Sequence, residues 1–122
     1  MRVLVADDQE LVRRLLGHVL AEAGHEVVAS VGDGREAFLR TRELHPDAIV
    51  LDLGMPHLDG IAALRLLRDT DPDVRIIVHT AYDDPDLAGE LHQAGSTAVV
   101  VKSADPAPLL AAVSGAEVSG AA

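Results

Sequence analysis

Four short apolar runs in this chain each end in a residue able to do chemistry. Val3-Leu4-Val5-Ala6 leads into Asp7-Asp8, Ala48-Ile49-Val50-Leu51 into Asp52, Ile76-Ile77-Val78-His79 into Thr80, and Val99-Val100-Val101 into Lys102. Lys102 is the only lysine among 122 residues. Three carboxylates brought together repel one another: two unit charges about 4 Å apart cost about 4 kcal/mol at an effective dielectric near 20. A bound cation relieves that repulsion, and an all-oxygen site that keeps several waters suits Mg2+. A carboxylate at the edge of such a metal can attack phosphorus and become an aspartyl phosphate. A hydroxyl, an ammonium and backbone N–H groups are what the oxygens of a transferring phosphoryl group require.

Taken singly, each residue has an ordinary explanation. Asp8 reads as readily as a cap on the following helix. Asp52 reads as an exposed strand end, Thr80 as a hydroxyl satisfying a local backbone donor, and Lys102 as a solvated charge. The coincidence of acid pair, acid, hydroxyl and lysine at four strand ends, in that order, favours a shared site.

The elements between these runs position them. Leu11, Val12, Leu15, Leu16, Val19 and Leu20 form an apolar stripe that predicts a helix after Asp8, closed near Gly24. Glu26 to Val31 predicts a second strand, and Gly32-Asp33-Gly34 a turn. A helix over about Arg35 to Leu44 should bury Ala37, Phe38 and Thr41, and His45-Pro46-Asp47 ends it. Ile61 to Arg68 predicts the next helix. Asp84-Pro85 and Asp105-Pro106 each read as an N-cap followed by proline at the first helical position, opening helices to about Ala94 and Val113. Five repeats of strand then helix imply a parallel sheet covered on both faces. Ligands of open α/β sheets bind beyond the carboxyl ends of the strands, so all four polar endings face one crevice. Residues 1–113 form one domain, and 114–122, rich in small residues, read as a frayed tail or the start of a linker.

Composition narrows the function classes. With 48% hydrophobic and 25% charged residues the chain is a globular domain. Phe38 and Tyr82 are the only aromatics, so the core is aliphatic. The net charge of −10 is spread over both halves, which leaves no basic patch and excludes direct nucleic-acid binding. The absence of cysteine excludes disulfides and zinc-thiolate sites. No apolar run has the length of a membrane span or a signal-peptide core. The expected location is cytoplasmic.

Asp52-Leu53-Gly54-Met55-Pro56-His57-Leu58-Asp59-Gly60 resembles the D-x-x-M-P-x-x-D-G loop of response-regulator receiver domains of two-component signalling. Val3 to Asp8, Asp33-Gly34, Thr80-Ala81 and Val101-Lys102 resemble the other landmarks of that family, and the likeness covers about residues 2–113. Ala6 to Arg13 is similar to receivers joined to helix-turn-helix output domains. The resemblance implies a flavodoxin-like (βα)5 doubly wound parallel sheet in the order 2-1-3-4-5. It implies Asp52 as phosphoacceptor, Asp8 as direct Mg2+ ligand, Asp7 holding the metal through water, and the Gly54 carbonyl as a backbone ligand. Thr80 would contact the phosphoryl group and drive switching, and Lys102 would pair with that group. A sensor histidine kinase or phosphotransfer protein would be the donor, and the chain itself a phosphoacceptor rather than an enzyme. The switching face would be the fourth helix, fifth strand and fifth helix, and a homodimer is also open. Two positions depart from the common pattern: Val99 stands where many receivers carry Tyr or Phe, and Ser103 where many carry proline.

Three rivals share the fold. A Mg2+-dependent phosphohydrolase also uses an aspartyl nucleophile, but needs a second acid for general acid–base work and usually a covering cap. A flavodoxin-like FMN carrier wants a Ser/Thr/Gly-rich phosphate loop and stacking aromatics, where this chain has Asp7-Asp8. A phosphorylation-independent interaction domain has no need of the intact acid set. Of the six histidines, none forms a ligand pair at helical spacing. His18, His25, His45 and His92 read as structural or solvated, and His79 as a core residue or one with a satisfied hydrogen bond. For His57, in the acidic loop, a role at the pocket mouth stays open. Asp83, Asp84, Asp86 and Glu90 read as acids favouring the positive end of the fourth helix.

Overall fold

The computed structural model describes residues 1–55 and 59–115. Five strands, β1 (Arg2–Ala6), β2 (Glu26–Val31), β3 (Ala48–Leu51), β4 (Arg75–Thr80) and β5 (Ala98–Val101), alternate with five helices. These are α1 (Glu10–Glu22), α2 (Gly34–Leu44), α3 (Gly60–Thr70), α4 (Pro85–Ala94) and α5 (Ala107–Ser114). All pairings are parallel, in the order β2-β1-β3-β4-β5. The alternating strand–helix pattern and the order that the resemblance implied both hold.

The two faces of the sheet sort the core by the strand period of two. Val3, Val5, Val50 and Ile77 point to the side of α1 and α5, where they meet Leu16, Leu20, Leu109 and Val113. Leu4, Ala6, Ile49, Leu51, Ile76 and Val78 point to the opposite side and meet Ala37, Leu64, Leu67 and Leu91 of α2, α3 and α4. Central β3 is buried along its whole length, as its unbroken apolar run requires.

Helix ends follow local chemistry. Asp84 accepts from the N–H groups of Asp86 and Leu87 with Pro85 at the first helical position, as expected, and Gly24 turns the chain out of α1 at φ 91°. Asp59 accepts from Ile61 and Ala62 and starts α3 one residue earlier than the apolar pattern placed it. At α5 the expected boundary moves by one: Pro106 is the N-cap, and Asp105 reaches over it to accept from the Ala107 N–H at 3.0 Å. Arg75 donates to the Ala112 carbonyl and ties the end of α5 to β4.

The expected stripe of α1 is too wide. Leu16 and Leu20 are buried, but Leu11 and Leu15 are 68% and 57% exposed, because α1 covers only the edge of the sheet that α5 leaves free. Between α1 and the β5–α5 loop lies a groove of about 300 Å³, lined by Val12, Leu15, Leu16, Val100 and Lys102 with His79 at its floor. His79 is core, but its Nδ1 is buried with no hydrogen-bond partner among the described residues, and burial, then Lys102, lowers its pKa. Neither β5 nor α5 carries a charged residue, and β5 is half-buried to exposed along the sheet edge. Of the expected tail, Ser114 closes α5 and Gly115 follows at φ 77°; residues 116–122, like His57, lie outside the described residues.

Candidate functional site

The carboxyl ends of β1, β3, β4 and β5 deliver the polar endings together. Ala6 pairs with Leu51, Leu51 with Val78, and Thr80 with Val101, so Asp7 and Asp52 leave the sheet at nearly the same level, with Thr80 one residue and Lys102 two residues further along. Backbone bonds lock that level. The Asp52 N–H donates to the Ala6 carbonyl at 2.8 Å, the Asp7 N–H to Val31 at 3.0 Å, and the Lys102 N–H to Thr80 at 2.6 Å.

Asp7, Asp8 and Asp52 each offer a carboxylate oxygen within 4.8 Å of the others. Among the described residues they are the one acidic or histidine group so disposed. Asp7 is buried, Asp52 half-buried and Asp8 exposed, so the cluster opens to solvent on the Asp8 side. Asp8 does not cap α1: Gln9 holds that position, and Asp7 Oδ1 takes the Gln9 N–H at 2.9 Å. This donor set of hard oxygens with an open side fits Mg2+.

Lys102 Nζ lies 3.1 Å from Asp7 Oδ2 and 3.7 Å from Asp52 Oδ1. The ammonium therefore sits closer to the buried acid than to Asp52, which sequence reasoning did not anticipate. Asp7, almost without access to water, has the stronger claim on a counter-charge. Burial raises the pKa of Asp52, and Asp7 and Asp8 add to the shift, while the Gly54 N–H and Lys102 oppose it. The Gly54 N–H donates to Asp52 Oδ1 at 3.2 Å.

Thr80 is buried at the end of β4, and its Oγ1 accepts from the Tyr82 N–H at 3.1 Å. The ordinary role weighed for that hydroxyl is thus realised, in a position joined by backbone to Lys102. Tyr82 itself is 71% exposed. Val99 stands opposite Val78 and packs, half-buried, against the α2–α4 side of the core. The Lys102–Ser103 peptide is trans, and the Ser103 hydroxyl accepts from the Asp105 N–H.

Two contributions were missed. A Cβ at Gly60 would lie 2.6 Å from the Leu53 carbonyl oxygen and 2.9 Å from Leu53 Cα, so only glycine lets α3 start against the loop that carries Gly54. The signal was present in Asp59-Gly60, an Asp before a helical stripe. Arg13 Nη1 donates to the Asp7 carbonyl at 2.6 Å, a contact that no sequence pattern announces.

Comparison with known proteins agrees with this geometry. The family profile of the response regulator receiver domain matches residues 3–114. The chemotaxis protein CheY of Thermotoga maritima is 34% identical over 92% of this chain and 93% of its own length. The response regulator GacA of Pseudomonas viridiflava is 34% identical over 93% of this chain but 53% of its own, so this chain spans about half of that relative. Among solved structures, a LuxR-family two-component response regulator from Aurantimonas sp. superposes at a TM-score of 0.86 with 34% identity, covering 95% of this chain and 86% of that one. The CheX–CheY–BeF3–Mg2+ complex of Borrelia burgdorferi gives a TM-score of 0.89 at 26% identity, over 94% of this chain and 87% of that one. Strand order, acid cluster, lysine and matched profile converge, and the chain belongs to the response-regulator receiver domain family.

Proposed function

We propose that this receiver accepts a phosphoryl group on Asp52 in a Mg2+-dependent reaction, with Asp7, Asp8, Asp52 and the Gly54 carbonyl holding the metal. The observation that supports this reading most is the three-carboxylate cluster with the one lysine of the chain at 3.1 and 3.7 Å from two of its members. Bound Mg2+ supplies charge that lets neighbouring carboxylates ionise together and draws density from phosphoryl oxygens. Asp52 Oδ1 is occupied by the Gly54 N–H and faces Lys102, which leaves Oδ2 to attack phosphorus. The new O–P bond forms as the bond from phosphorus to the donor breaks, and the donor nitrogen or oxygen leaves with the electron pair. Lys102 and the Thr80 hydroxyl hold the phosphoryl oxygens as charge gathers on them.

The Thr80 hydroxyl donates its proton to a phosphoryl oxygen while Oγ1 still accepts the Tyr82 N–H. Drawing Thr80 towards the phosphoryl group therefore pulls on the start of the β4–α4 loop and carries the signal towards α4, β5 and α5. With Val99 small and packed, the loop rather than a swinging aromatic ring transmits the change. The donor is a sensor histidine kinase or phosphotransfer protein, and the chain acts as a substrate of that donor rather than as a turnover enzyme.

Incubation with acetyl phosphate and Mg2+, followed by intact-mass analysis, tests the assignment. One added phosphate is expected, lost in Asp52→Asn and lost with EDTA. Equal labelling of Asp52→Asn would overturn it.

A further inference from the structure

Asp8 is the least supported member of the acid cluster. It is exposed, and it makes no hydrogen bond or ion pair among the described residues. Its orientation is inherited from the peptide that joins it to Asp7. Every polar group of Asp7 is engaged: N–H to Val31, Oδ1 from Gln9, Oδ2 from Lys102, and the carbonyl from Arg13 Nη1 at 2.6 Å. The carbonyl bond is the one that fixes the Asp7–Asp8 peptide plane.

Arg13 reaches that carbonyl for a geometric reason. Helical side chains lean towards the N-terminus of their helix, so a long residue in the first turn of α1 folds back over the loop before it. The glycine at position 32 keeps the way clear: a Cβ there would sit 3.1 Å from Arg13 Nη1 and 4.0 Å from the Asp7 carbonyl oxygen. Arg13 is half-buried, whereas Arg14 beside it is exposed and makes no hydrogen bond or ion pair among the described residues.

We infer that Arg13 is a positioning residue for the metal-binding carboxylates, holding the Asp7–Asp8 peptide so that Asp8 meets the cation without first being ordered. This rests on the Mg2+-dependent reading above. Two effects oppose each other here, and their sign separates them. As a mere positive charge near the cluster, Arg13 repels Mg2+, and its removal would tighten binding. As a brace, its removal loosens the loop and weakens binding.

Mg2+ titration by calorimetry, with thermal unfolding measured in parallel, decides between them. Arg13→Met keeps the stem and loses charge and donors; its Mg2+ dissociation constant should rise about fivefold, the worth of one hydrogen bond. Arg13→Lys, which keeps one charged donor, should fall between parent and Arg13→Met. Gly32→Ala should weaken Mg2+ in the same direction by displacing the guanidinium. Arg14→Met, which removes an equal charge from the same helix, should leave affinity within about twofold. In phosphorylation from acetyl phosphate, Arg13→Met should raise the Mg2+ concentration for half-maximal rate and leave the rate at saturating Mg2+ near the parent's. Unchanged or tighter Mg2+ binding by Arg13→Met, whatever its melting temperature, would overturn the inference and leave the functional reading standing. Failure of the parent to bind Mg2+ would overturn both.

Discussion

Removing the ammonium while keeping its stem, Lys102→Met, puts the electrostatics of the cluster to a quantitative test. At an effective dielectric near 20, an ammonium 3.1 Å from one carboxylate and 3.7 Å from another gains about 5 kcal/mol of attraction from each. Desolvation cancels much of this, and the cost of breaking a buried pair by deleting one partner is about 3–5 kcal/mol. The Asp7 side chain is 2% exposed, which favours the upper end, while Lys102 at 25% and the Gln9 N–H left on Asp7 favour the lower. The expected loss in metal-free buffer at neutral pH is about 3 kcal/mol, read from urea unfolding. Mg2+ at a hundred times its dissociation constant should add about 2.7 kcal/mol to the parent. It should add more to the variant, whose cluster has lost its competing cation, so the gap narrows. The double variant Asp7→Asn with Lys102→Met should recover much of the loss, because no buried charge is then left unpaired. A loss below about 1 kcal/mol that Mg2+ does not change would show that Lys102 is a solvated charge and that the cluster is not electrostatically closed.

The raised pKa of Asp52 carries its own sign: the folded state holds the proton more tightly than the unfolded chain, so stability falls as pH rises from the ordinary value of 3.8 through the raised one. Asp52→Asn should therefore be more resistant to urea than the parent at neutral pH in EDTA, with the difference shrinking as pH is lowered towards 3.8; a constant difference would assign the effect to something other than charge. Gly60→Ala forces a Cβ onto the Leu53 backbone and should cost about 1–3 kcal/mol in denaturant unfolding. Gly89→Ala, in open space within α4, should gain up to about 1 kcal/mol. Thr80→Ala should still take phosphate from acetyl phosphate, while backbone NMR shifts on beryllofluoride addition shrink over residues 80–102; an unchanged pattern would assign the switching to another element.

The strands were legible because β-branched runs bounded by turns have few other uses, and the site because its residues follow directly on those runs. Asp84-Pro85 declared α4 through local chemistry alone. What escaped depends on neighbours distant in the chain. Leu11 and Leu15 share the helical phase of the buried stripe, and only the position of α5 leaves them exposed. That Lys102 lies nearer Asp7 than Asp52 follows from the burial of Asp7, a tertiary property. His79 had the right face, yet whether its ring finds a partner is decided by residues distant in the chain. Gly60 and Arg13 act through close approaches to Leu53 and Asp7 that spacing does not encode.

The uncharged surface of β5 and α5 bears on how quickly anything arrives there. The chain as a whole carries −10, so an acidic visitor is turned away at long range, and neither β5 nor α5 has a charged residue of its own to draw it back. Added salt shortens the reach of the repulsion, to about 8 Å at physiological ionic strength. Encounter of an acidic partner with this face therefore quickens as salt is raised, while encounter of a cation with the acid cluster slows. One small domain thus carries an acid cluster and an uncharged sheet edge whose encounters with charged species depend on ionic strength in opposite senses.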